Sequence, residues 1–149
     1  MTYRAGIIGT GGIAGMGILG MHDESQIGKA KVRASHAGGY DETEKIELVA
    51  VADVDETKLS RFGEAWDIPK EGQYLGHEAM LENENLDVVS VCTPSYLHAE
   101  HVVETAHSVA NPDIIWCEKP IASAVSDAEE MVAACDETDT ELVVNHSFR

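Results

Sequence analysis

The sequence predicts an α/β fold built on a doubly wound, mostly parallel six-stranded sheet with helices on both faces. Three observations lead to this class. Short, nearly continuous apolar runs of strand length recur along the 149 residues, as is typical of strands buried on both faces. Amphipathic segments with helical spacing separate these runs, which is the pattern of βαβ units. A glycine-rich turn directly follows the first run, at the strand end where such sheets bind ligands.

The six predicted strands cover residues 3–8, 47–52, 73–75, 87–92, 113–117 and 141–145. The first run ends at Gly9, the second at Asp53, the fourth at Thr93-Pro94 and the fifth at Glu118-Lys119-Pro120. The third run is short and is expected at an edge of the sheet. Because crossovers between parallel strands are right-handed, the expected strand order is the doubly wound order 3-2-1-4-5-6.

Helices are predicted between the strands, and the first starts at Ile13. The second has Asp55 as its N-cap, because a carboxylate there accepts hydrogen bonds from the first backbone N–H groups of a helix. Leu59, Phe62 and Trp66 form its apolar face. Three more helices are expected at about 78–82, 97–109 and 123–136, the last capped by Ser123 or Ser126.

Residues 16–40 are predicted to contain an insertion of about 20 residues in the first crossover, since a simple crossover is shorter. The segment holds five glycines and the basic residues Lys29, Lys31 and Arg33. We expect a loop and an extra helical stretch that rejoins the fold near His36. A lid or interface piece beside the glycine turn is one interpretation of the insertion, and a passive surface excursion is the favoured one.

Composition narrows the classes of partner. Asp and Glu number 27 against 10 Lys and Arg, for a net charge of −17, which argues against nucleic acid and anionic membranes because these bind clustered Lys and Arg. No run approaches the ~20 apolar residues of a membrane span, and a cytoplasmic protein is expected. The dispersed acidic residues are typical of halophilic proteins, in which high salt screens the self-repulsion; an ordinary acidic protein is the alternative.

No metal site and no disulfide framework are predicted. The chain has three cysteines, Cys92, Cys117 and Cys135. They form no C-x-x-C pair and are expected to be reduced, buried thiols. His98 and His101 lie three positions apart on a predicted helix, but two ligands do not make a metal site. His101 and His107 are expected on the surface of that helix.

The turn Gly9-Thr10-Gly11-Gly12-Ile13-Ala14 fits the pattern G-x-G-x-x-A. Gly9 permits a tight turn, Gly11 lets the backbone approach a pyrophosphate, and Ala14 keeps the following helix close to the strand. A helix N-terminus supplies N–H donors and partial positive charge. All six residues are therefore predicted to bind a dinucleotide cofactor, against the alternative of a glycine-rich turn without a ligand.

Asp53, at the end of the second strand, is the predicted ligand of the adenosine ribose. A carboxylate there accepts hydrogen bonds from the ribose hydroxyls and repels a 2′-phosphate. Asp53 follows Ala14 by 39 residues instead of the usual ~20, and the predicted insertion accounts for the excess. No arginine adjoins it, so NAD is favoured over NADP. The alternative role of Asp53 as a helix cap is already filled by Asp55.

Three further motifs make the sequence resemble the Gfo/Idh/MocA family of NAD(P)-dependent oxidoreductases. The run Cys92-Thr93-Pro94-Ser95-Tyr96-Leu97-His98 resembles the family's T-P-x-x-x-H turn, although Ser95 stands where Asn is frequent. Glu118-Lys119-Pro120 resembles its E-K-P motif. The terminal run Val144-Asn145-His146-Ser147-Phe148-Arg149 resembles the strand and arginine that lead out of its nucleotide domain.

This resemblance implies a role for each motif. Thr93-Pro94 would line the cofactor crevice, with His98 in the same turn. Lys119 would be catalytic, because its ammonium would lie beside the nicotinamide and stabilise charge on the reacting oxygen. Glu118 would meet the cofactor ribose or orient the lysine, and Pro120 would shape the turn through a cis peptide bond. A surface ion pair between Glu118 and Lys119 is the alternative.

The resemblance also implies an activity: hydride transfer between NAD(P) and a hydroxyl or carbonyl of a sugar, inositol or polyol-like substrate. In the family a second domain supplies an Asp and His acid/base pair and the usual oligomer interface. Residues 1–149 are expected to be the NAD(P)-binding Rossmann domain without that C-terminal substrate domain, either as a fragment or as a stand-alone module. This chain alone is expected to be inactive. The alternatives are a non-catalytic NAD(P)-binding sensor or regulator of the same family and an interaction module without a ligand.

Overall fold

Six parallel strands form one sheet in the computed structural model, which describes residues 1–17 and 34–146. The strands are β1 (Tyr3–Ile8), β2 (Ile46–Ala52), β3 (Gln73–Tyr74), β4 (Val88–Val91), β5 (Ile114–Cys117) and β6 (Glu141–Val144). Their order across the sheet is β3-β2-β1-β4-β5-β6, which confirms the predicted doubly wound order. The short strand β3 lies at one edge, as expected.

Five α-helices connect these strands within the described residues: α1 (His36–Asp41), α2 (Glu56–Ala65), α3 (His77–Asn83), α4 (His98–Ala106) and α5 (Val125–Glu137). The predicted cap of α2 is confirmed, since the Asp55 carboxylate accepts hydrogen bonds from the backbone N–H groups of Thr57 and Lys58.

The predicted serine cap of α5 is wrong. Ala124, in an extended conformation, occupies the N-cap position, and no side chain caps the helix. The Ser126 hydroxyl lies inside the first turn and donates to the Asp127 carboxylate at 3.3 Å. Ser126 lies two residues past the cap position and Ser123 one residue before it, so neither hydroxyl caps the free N–H groups of the first turn. Which residue occupies the cap depended on backbone geometry that the pattern did not show.

The helix predicted from Ile13 is much shorter than expected. A single π-helical turn covers Gly12–Met16, and it ends at Gly17, whose φ of 111° lies in the left-handed region. Gly15 has non-helical backbone angles, and its carbonyl accepts a hydrogen bond from the Trp66 indole at 3.2 Å. Glycines are poor helix formers, and this contact with the end of α2 stabilises a turn instead of a longer helix.

The predicted insertion lies mostly outside the described residues, which resume at 34. The helical stretch expected near His36 is α1, and the Ser35 side chain caps it by accepting a hydrogen bond from the Gly38 N–H at 3.0 Å. His36, Ala37 and Tyr40 are buried. Helix α1 therefore packs into the fold and is not a surface excursion. The rest of the predicted insertion, residues 18–33, lies outside the described residues.

Two apolar clusters cover the two faces of the sheet. Ile7, Val51 and Phe62 belong to the cluster that contains α1 and α2, and Val91 and Met131 belong to the cluster that contains α4 and α5. Neighbouring residues of one strand point to opposite faces, so strands buried on both faces must be apolar throughout. Among the described residues, no helix has the length and apolar character needed to cross a membrane.

Candidate functional site

A cavity of about 450 Å³ opens at the carboxyl ends of β1, β2 and β4. It is the size of a small-molecule pocket, for which roughly 300–1,000 Å³ is usual. Five residues predicted from the sequence line it: Gly9, Gly11, Asp53, Thr93 and Pro94. Sequence reasoning did not assign the other polar and aromatic residues in its wall: Lys58, His77, Tyr96 and His101. The structure thus brings the glycine turn, the second strand end and the T-P turn to one place.

The two glycines that line this cavity have different surroundings. Gly9 has a φ of +90°, and a side-chain carbon there would lie 3.0 Å from the backbone carbonyl of Cys92 and from the Thr93 side chain. The turn after β1 therefore packs directly against the turn after β4. A side-chain carbon at Gly11 would meet no atom within 4 Å, so the backbone faces open space where a ligand can approach. This difference agrees with the two predicted roles.

Asp53 binds the glycine turn, an interaction that sequence reasoning missed. Its Oδ2 accepts hydrogen bonds from the backbone N–H and the hydroxyl of Thr10, both at 2.8 Å, and its Oδ1 accepts one from the Asp55 N–H at 2.9 Å. Thr10 is 1% exposed and does not line the cavity. Its part in the site is to join the turn to the end of β2.

His98 lies beneath the site and not in its wall. It is 1% exposed, and its two ring nitrogens each lie 2.9 Å from a backbone carbonyl, Nε2 from that of Thr93 and Nδ1 from that of Pro120. The histidine of the T-P-x-x-x-H turn thus connects this turn to the E-K-P turn. Of the other predicted contacts, Gly12, Ile13 and Ala14 do not line the cavity.

The expectation that His101 lies on the helix surface is wrong. His101 is 7% exposed, its Nδ1 lies 2.9 Å from the Thr93 hydroxyl, and its ring contacts that of His77 at a centroid distance of 4.5 Å. Burial, with a further contribution from the neighbouring His77, lowers the pKa of His101 from 6.5 to about 4. The ring is therefore neutral at neutral pH. His107 is exposed, as expected.

The E-K-P turn follows β5 directly, and its Lys119–Pro120 peptide bond is cis, as the resemblance implied. Glu118 is 6% exposed. Its Oε1 accepts hydrogen bonds from the Asn145 amide at 2.5 Å and from His36 Nε2 at 3.0 Å, and its Oε2 accepts one from the backbone N–H of Lys119 at 3.2 Å. Burial alone would raise the pKa of Glu118, but the hydrogen bonds from Asn145 and His36 outweigh it and hold this pKa below its ordinary value.

Lys119 itself is exposed, and within residues 1–17 and 34–146 its ammonium forms no ion pair or hydrogen bond. The alternative of a surface ion pair with Glu118 is therefore not formed, because the glutamate faces the interior. A cation at the carboxyl end of β5 that is free to contact a ligand is what the predicted catalytic role requires.

Sequence reasoning missed the partners of Glu118. His36 comes from α1 and Asn145 follows β6, and Ser90 on β4 lies 2.8 Å from His36 Nδ1. One signal was available: Ser90 is the single polar residue in the apolar run 88–92. A hydroxyl on a strand of a sheet that is covered on both faces is buried and requires a hydrogen-bond partner.

All three cysteines are buried and free, as predicted. Burial raises the pKa of Cys92 well above its ordinary value and that of Cys117 to about 12. Their thiols therefore stay protonated at neutral pH and supply no nucleophile to the adjacent site.

The chain matches the model of an oxidoreductase family with an NAD-binding Rossmann fold over residues 3–146. It is 35% identical over 115 residues to D-apiose dehydrogenase of Paraburkholderia graminis, a match that covers 77% of this chain and 29% of that protein. It is 26% identical over 123 residues to myo-inositol 2-dehydrogenase of Thermotoga maritima, covering 83% of this chain and 35% of that protein.

Solved structures of oxidoreductases have a similar fold. An oxidoreductase from Agrobacterium radiobacter in complex with NAD⁺, L-tartaric acid and magnesium superposes with a TM-score of 0.78 at 25% identity, over 100% of this chain and 36% of that chain. WlbA dehydrogenase from Bordetella pertussis with NADH and UDP-GlcNAcA gives a TM-score of 0.73 at 26% identity, over 97% of this chain and 37% of that chain. The chain thus spans about a third of the length of these proteins. It belongs to the Gfo/Idh/MocA oxidoreductase family, as the NAD-binding Rossmann domain of that family.

Proposed function

We propose that this chain is the cofactor half of a dehydrogenase that transfers hydride between NAD and a hydroxyl or carbonyl of a sugar, inositol or polyol-like substrate. One observation carries the proposal. The carboxyl ends of four adjacent strands present, in order, Asp53, the glycine turn, Thr93-Pro94 and the exposed Lys119. This order matches an extended dinucleotide, with adenosine toward Asp53 and nicotinamide toward Lys119.

The glycine turn is suited to a pyrophosphate. The first N–H groups of a helical turn have no acceptor within the turn, and those of Gly12, Ile13 and Ala14 find none elsewhere in the described chain. Gly11 leaves space for phosphate oxygens. We therefore assign the pyrophosphate to the backbone of this turn, where partial positive charge favours an anion.

Asp53 retains capacity for a ribose hydroxyl. An ionised carboxylate offers about four acceptor positions, and Thr10 and Asp55 together occupy three of them. One remaining position suits one hydroxyl donor. A 2′-phosphate at that place would meet a carboxylate of like charge, and this repulsion supports NAD as the preferred cofactor.

Lys119 is the proposed catalytic residue. When NAD is bound, it supplies the hydride acceptor for oxidation of an alcohol. The Lys119 ammonium donates a hydrogen bond to the substrate oxygen and stabilises the negative charge that develops there as the proton leaves. The general base that takes this proton is proposed to lie in a second domain of a longer polypeptide, whose sheet would also complete the substrate pocket and form a homo-oligomer interface.

The names of the relatives support the substrate class, since both the D-apiose and the myo-inositol enzymes are dehydrogenases of polyhydroxylated compounds by name. The net charge of −17 supports neither nucleic acid nor an anionic membrane as partner. Three buried, unpaired thiols agree with a reducing cytoplasm.

Cofactor binding is tested by titrating the 149-residue chain with NAD and NADP in an isothermal calorimeter at low and at molar KCl. We expect NAD to bind at least about 10-fold more tightly than NADP, a difference of about 1.4 kcal/mol. Gly11→Ala should weaken NAD binding while leaving the melting temperature unchanged. Absence of binding by either cofactor at millimolar concentration would contradict the proposal.

The catalytic assignment is tested in the longer polypeptide that carries this domain. Lys119→Met should lower kcat by roughly 10²–10³-fold, the loss typical of one electrostatic donor in an active site, and should leave the Kd of NAD within a factor of about three. Lys45→Met, at an exposed lysine just before β2, is the matched control. Full turnover by Lys119→Met would contradict the catalytic role of Lys119, whereas absence of turnover in the unsubstituted polypeptide would favour a non-catalytic sensor.

A further inference from the structure

A chain of buried polar side chains runs from α1 through β4 to the E-K-P turn. The Tyr40 hydroxyl lies 2.6 Å from Ser90 Oγ, Ser90 Oγ lies 2.8 Å from His36 Nδ1, and His36 Nε2 lies 3.0 Å from Glu118 Oε1. None of these four residues is more than 6% exposed. The His36 ring also contacts Trp116, with ring centroids 4.2 Å apart. We call these four residues the relay.

Hydrogen-bond capacity assigns a direction to the relay. An ionised Glu118 only accepts hydrogen bonds, so His36 must carry its proton on Nε2. His36 Nδ1 is then an acceptor, which Ser90 satisfies with its hydroxyl proton, and Tyr40 donates to the Ser90 oxygen. Every group has a partner in this arrangement. Burial lowers the pKa of His36, against the opposing effect of Glu118, and the neutral imidazole that results fits the same assignment.

The relay ends on the residue that holds Lys119 in place. Glu118 Oε2 accepts the Lys119 backbone N–H at 3.2 Å, and on the other side of the lysine the Pro120 carbonyl lies 2.9 Å from His98 Nδ1. The backbone of the exposed Lys119 is thus held at two points by buried groups. A carboxylate that rotated would lose its bond to the Lys119 N–H, and one that became protonated would accept this bond more weakly, so either change would loosen one of these points.

We propose that His36 is a positioning residue that keeps Glu118 ionised and oriented and thereby places the Lys119 ammonium at the carboxyl edge of the sheet. Tyr40 and Ser90 act through His36 by holding its Nδ1 as an acceptor. This inference rests on the proposed function, since the position of Lys119 affects turnover only if the edge binds a nicotinamide cofactor. The first crossover thus contributes α1 to the site at a strand end two positions away in the sheet.

The relay has titratable neighbours that its test must consider. Glu118 faces His36 directly, and Tyr40 reaches it through Ser90. The Cys92 and Cys117 thiols lie near Glu118, and burial keeps both protonated. Asn145 and Ser90 are polar without titrating near neutral pH. A change in the Glu118 pKa on substitution of His36 can therefore be assigned to the loss of its hydrogen bond.

The first test uses the 149-residue chain and needs no turnover. The Glu118 carboxyl is followed by ¹³C NMR in protein labelled at glutamate, with Glu118→Gln to assign its signal. His36→Leu should raise the Glu118 pKa by at least about one unit, because one hydrogen bond to the ionised form is lost. In His36→Gln the amide can donate to Glu118 and accept from Ser90, so the Glu118 pKa should stay close to that of the unsubstituted chain. An unchanged Glu118 pKa in a folded His36→Leu variant would overturn the inference.

The second test measures kcat and KM in the longer polypeptide. His36→Leu should lower kcat by about 10–100-fold, as expected when a reacting group is misplaced, and should leave the Kd of NAD within a factor of about three. The acid limb of the kcat profile should move to higher pH, and His36→Gln should recover both. If the unsubstituted chain does not bind NAD, the proposed function is contradicted. If His36→Leu has a normal kcat and an unshifted pH profile, only the role of the relay is contradicted.

If His36→Leu does not fold, Ser90→Ala provides the alternative variant. It removes the donor to His36 Nδ1 and leaves Glu118 and its direct partners unchanged, so a smaller rise in the Glu118 pKa is expected. A folded Ser90→Ala chain with the Glu118 pKa and kcat of the unsubstituted protein would likewise contradict the relay.

Discussion

Two carboxylates at the same edge of the sheet, Asp53 after β2 and Glu118 after β5, are held in opposite ways. Asp53 is half-buried and takes two of its three hydrogen bonds from backbone N–H groups, those of Thr10 and Asp55. Glu118 is buried and takes two of its three from side chains, those of His36 and Asn145. Turn geometry therefore secures the adenosine end, and packing of distant elements secures the lysine end.

The difference has an energetic consequence. A half-exposed carboxylate that loses a partner can bind water in its place, at a cost of about 1 kcal/mol or less. A buried carboxylate or its donors cannot do so, and breaking such a set costs roughly 3–5 kcal/mol. The lysine end of the site should therefore be the more sensitive of the two to substitution, and this ranking is open to direct tests.

The largest effect is expected for the matched pair Glu118→Gln and Asp53→Asn. Glu118→Gln places an amide donor against the Lys119 N–H or against His36 and Asn145, so the free energy of unfolding should fall by about 3 kcal/mol. Asp53→Asn should lower it by about 1 kcal/mol or less. Urea denaturation followed by tryptophan fluorescence measures both. Equal losses for the two variants would refute the comparison.

A second pair tests the glycine turn, which Asp53 joins to the end of β2. Gly9→Ala should lower the free energy of unfolding by about 1–2 kcal/mol, because its φ of +90° is strained for alanine and its side chain would lie 3.0 Å from the Cys92 carbonyl. Gly11→Ala is the control, since its side chain would meet nothing within 4 Å. Thermal unfolding should separate the two, and a stable Gly9→Ala chain would show that this turn adapts more than its contacts indicate.

The dependence of stability on pH offers a further test at the same cavity. The pKa of His101 is about 4 in the folded chain against 6.5 ordinarily, so the unfolded chain binds a proton at higher pH than the folded one. The stabilisation is present above pH ~6.5 and is lost as the pH falls toward ~4, at up to about 1.4 kcal/mol per pH unit.

His101→Gln removes this group and should flatten the fall in stability between pH ~6.5 and ~4 relative to the unsubstituted chain. Denaturant titrations at a series of pH values measure the slopes. His107→Gln, at an exposed histidine of the same helix region, should leave the slope unchanged. Identical slopes for all three proteins would mean that the pKa of His101 is the same in the folded and the unfolded chain.

The smallest specific effect concerns salt. The net charge of −17 produces self-repulsion in the folded chain that molar KCl screens. We expect the melting temperature to rise between low and molar KCl by about 2–4 °C, the shift that corresponds to about 1 kcal/mol in a domain of this size. A melting temperature that does not rise would remove the basis for the halophilic interpretation.

The order of the six strands and the location of the cavity could be predicted from the sequence because both follow from local patterns. Apolar runs specify strands buried on both faces, and the strand ends then meet at one edge. Gly9, Asp53 and Thr93 line the cavity because each directly follows a predicted strand. Their contacts with cofactor stay predictions.

The errors have a common physical origin in tertiary contacts. The expected helix from Ile13 is a single turn because Gly15 packs on Trp66. His101 is buried because the Thr93 turn and His77 cover it. In both cases the local pattern was compatible with several environments, and packing against another element selected one of them.

The sequence by itself thus determined the class of the fold, the strand order, the glycine turn and the residues that end each strand, because these depend on spacing along the chain. Only the tertiary structure decided how the carboxylates are held. His36 and Glu118 are 82 positions apart, and Ser90 is 54 positions from His36. Hydrogen bonds over such separations follow from the folded packing of α1 against the sheet, and no periodicity or motif in the chain specifies them.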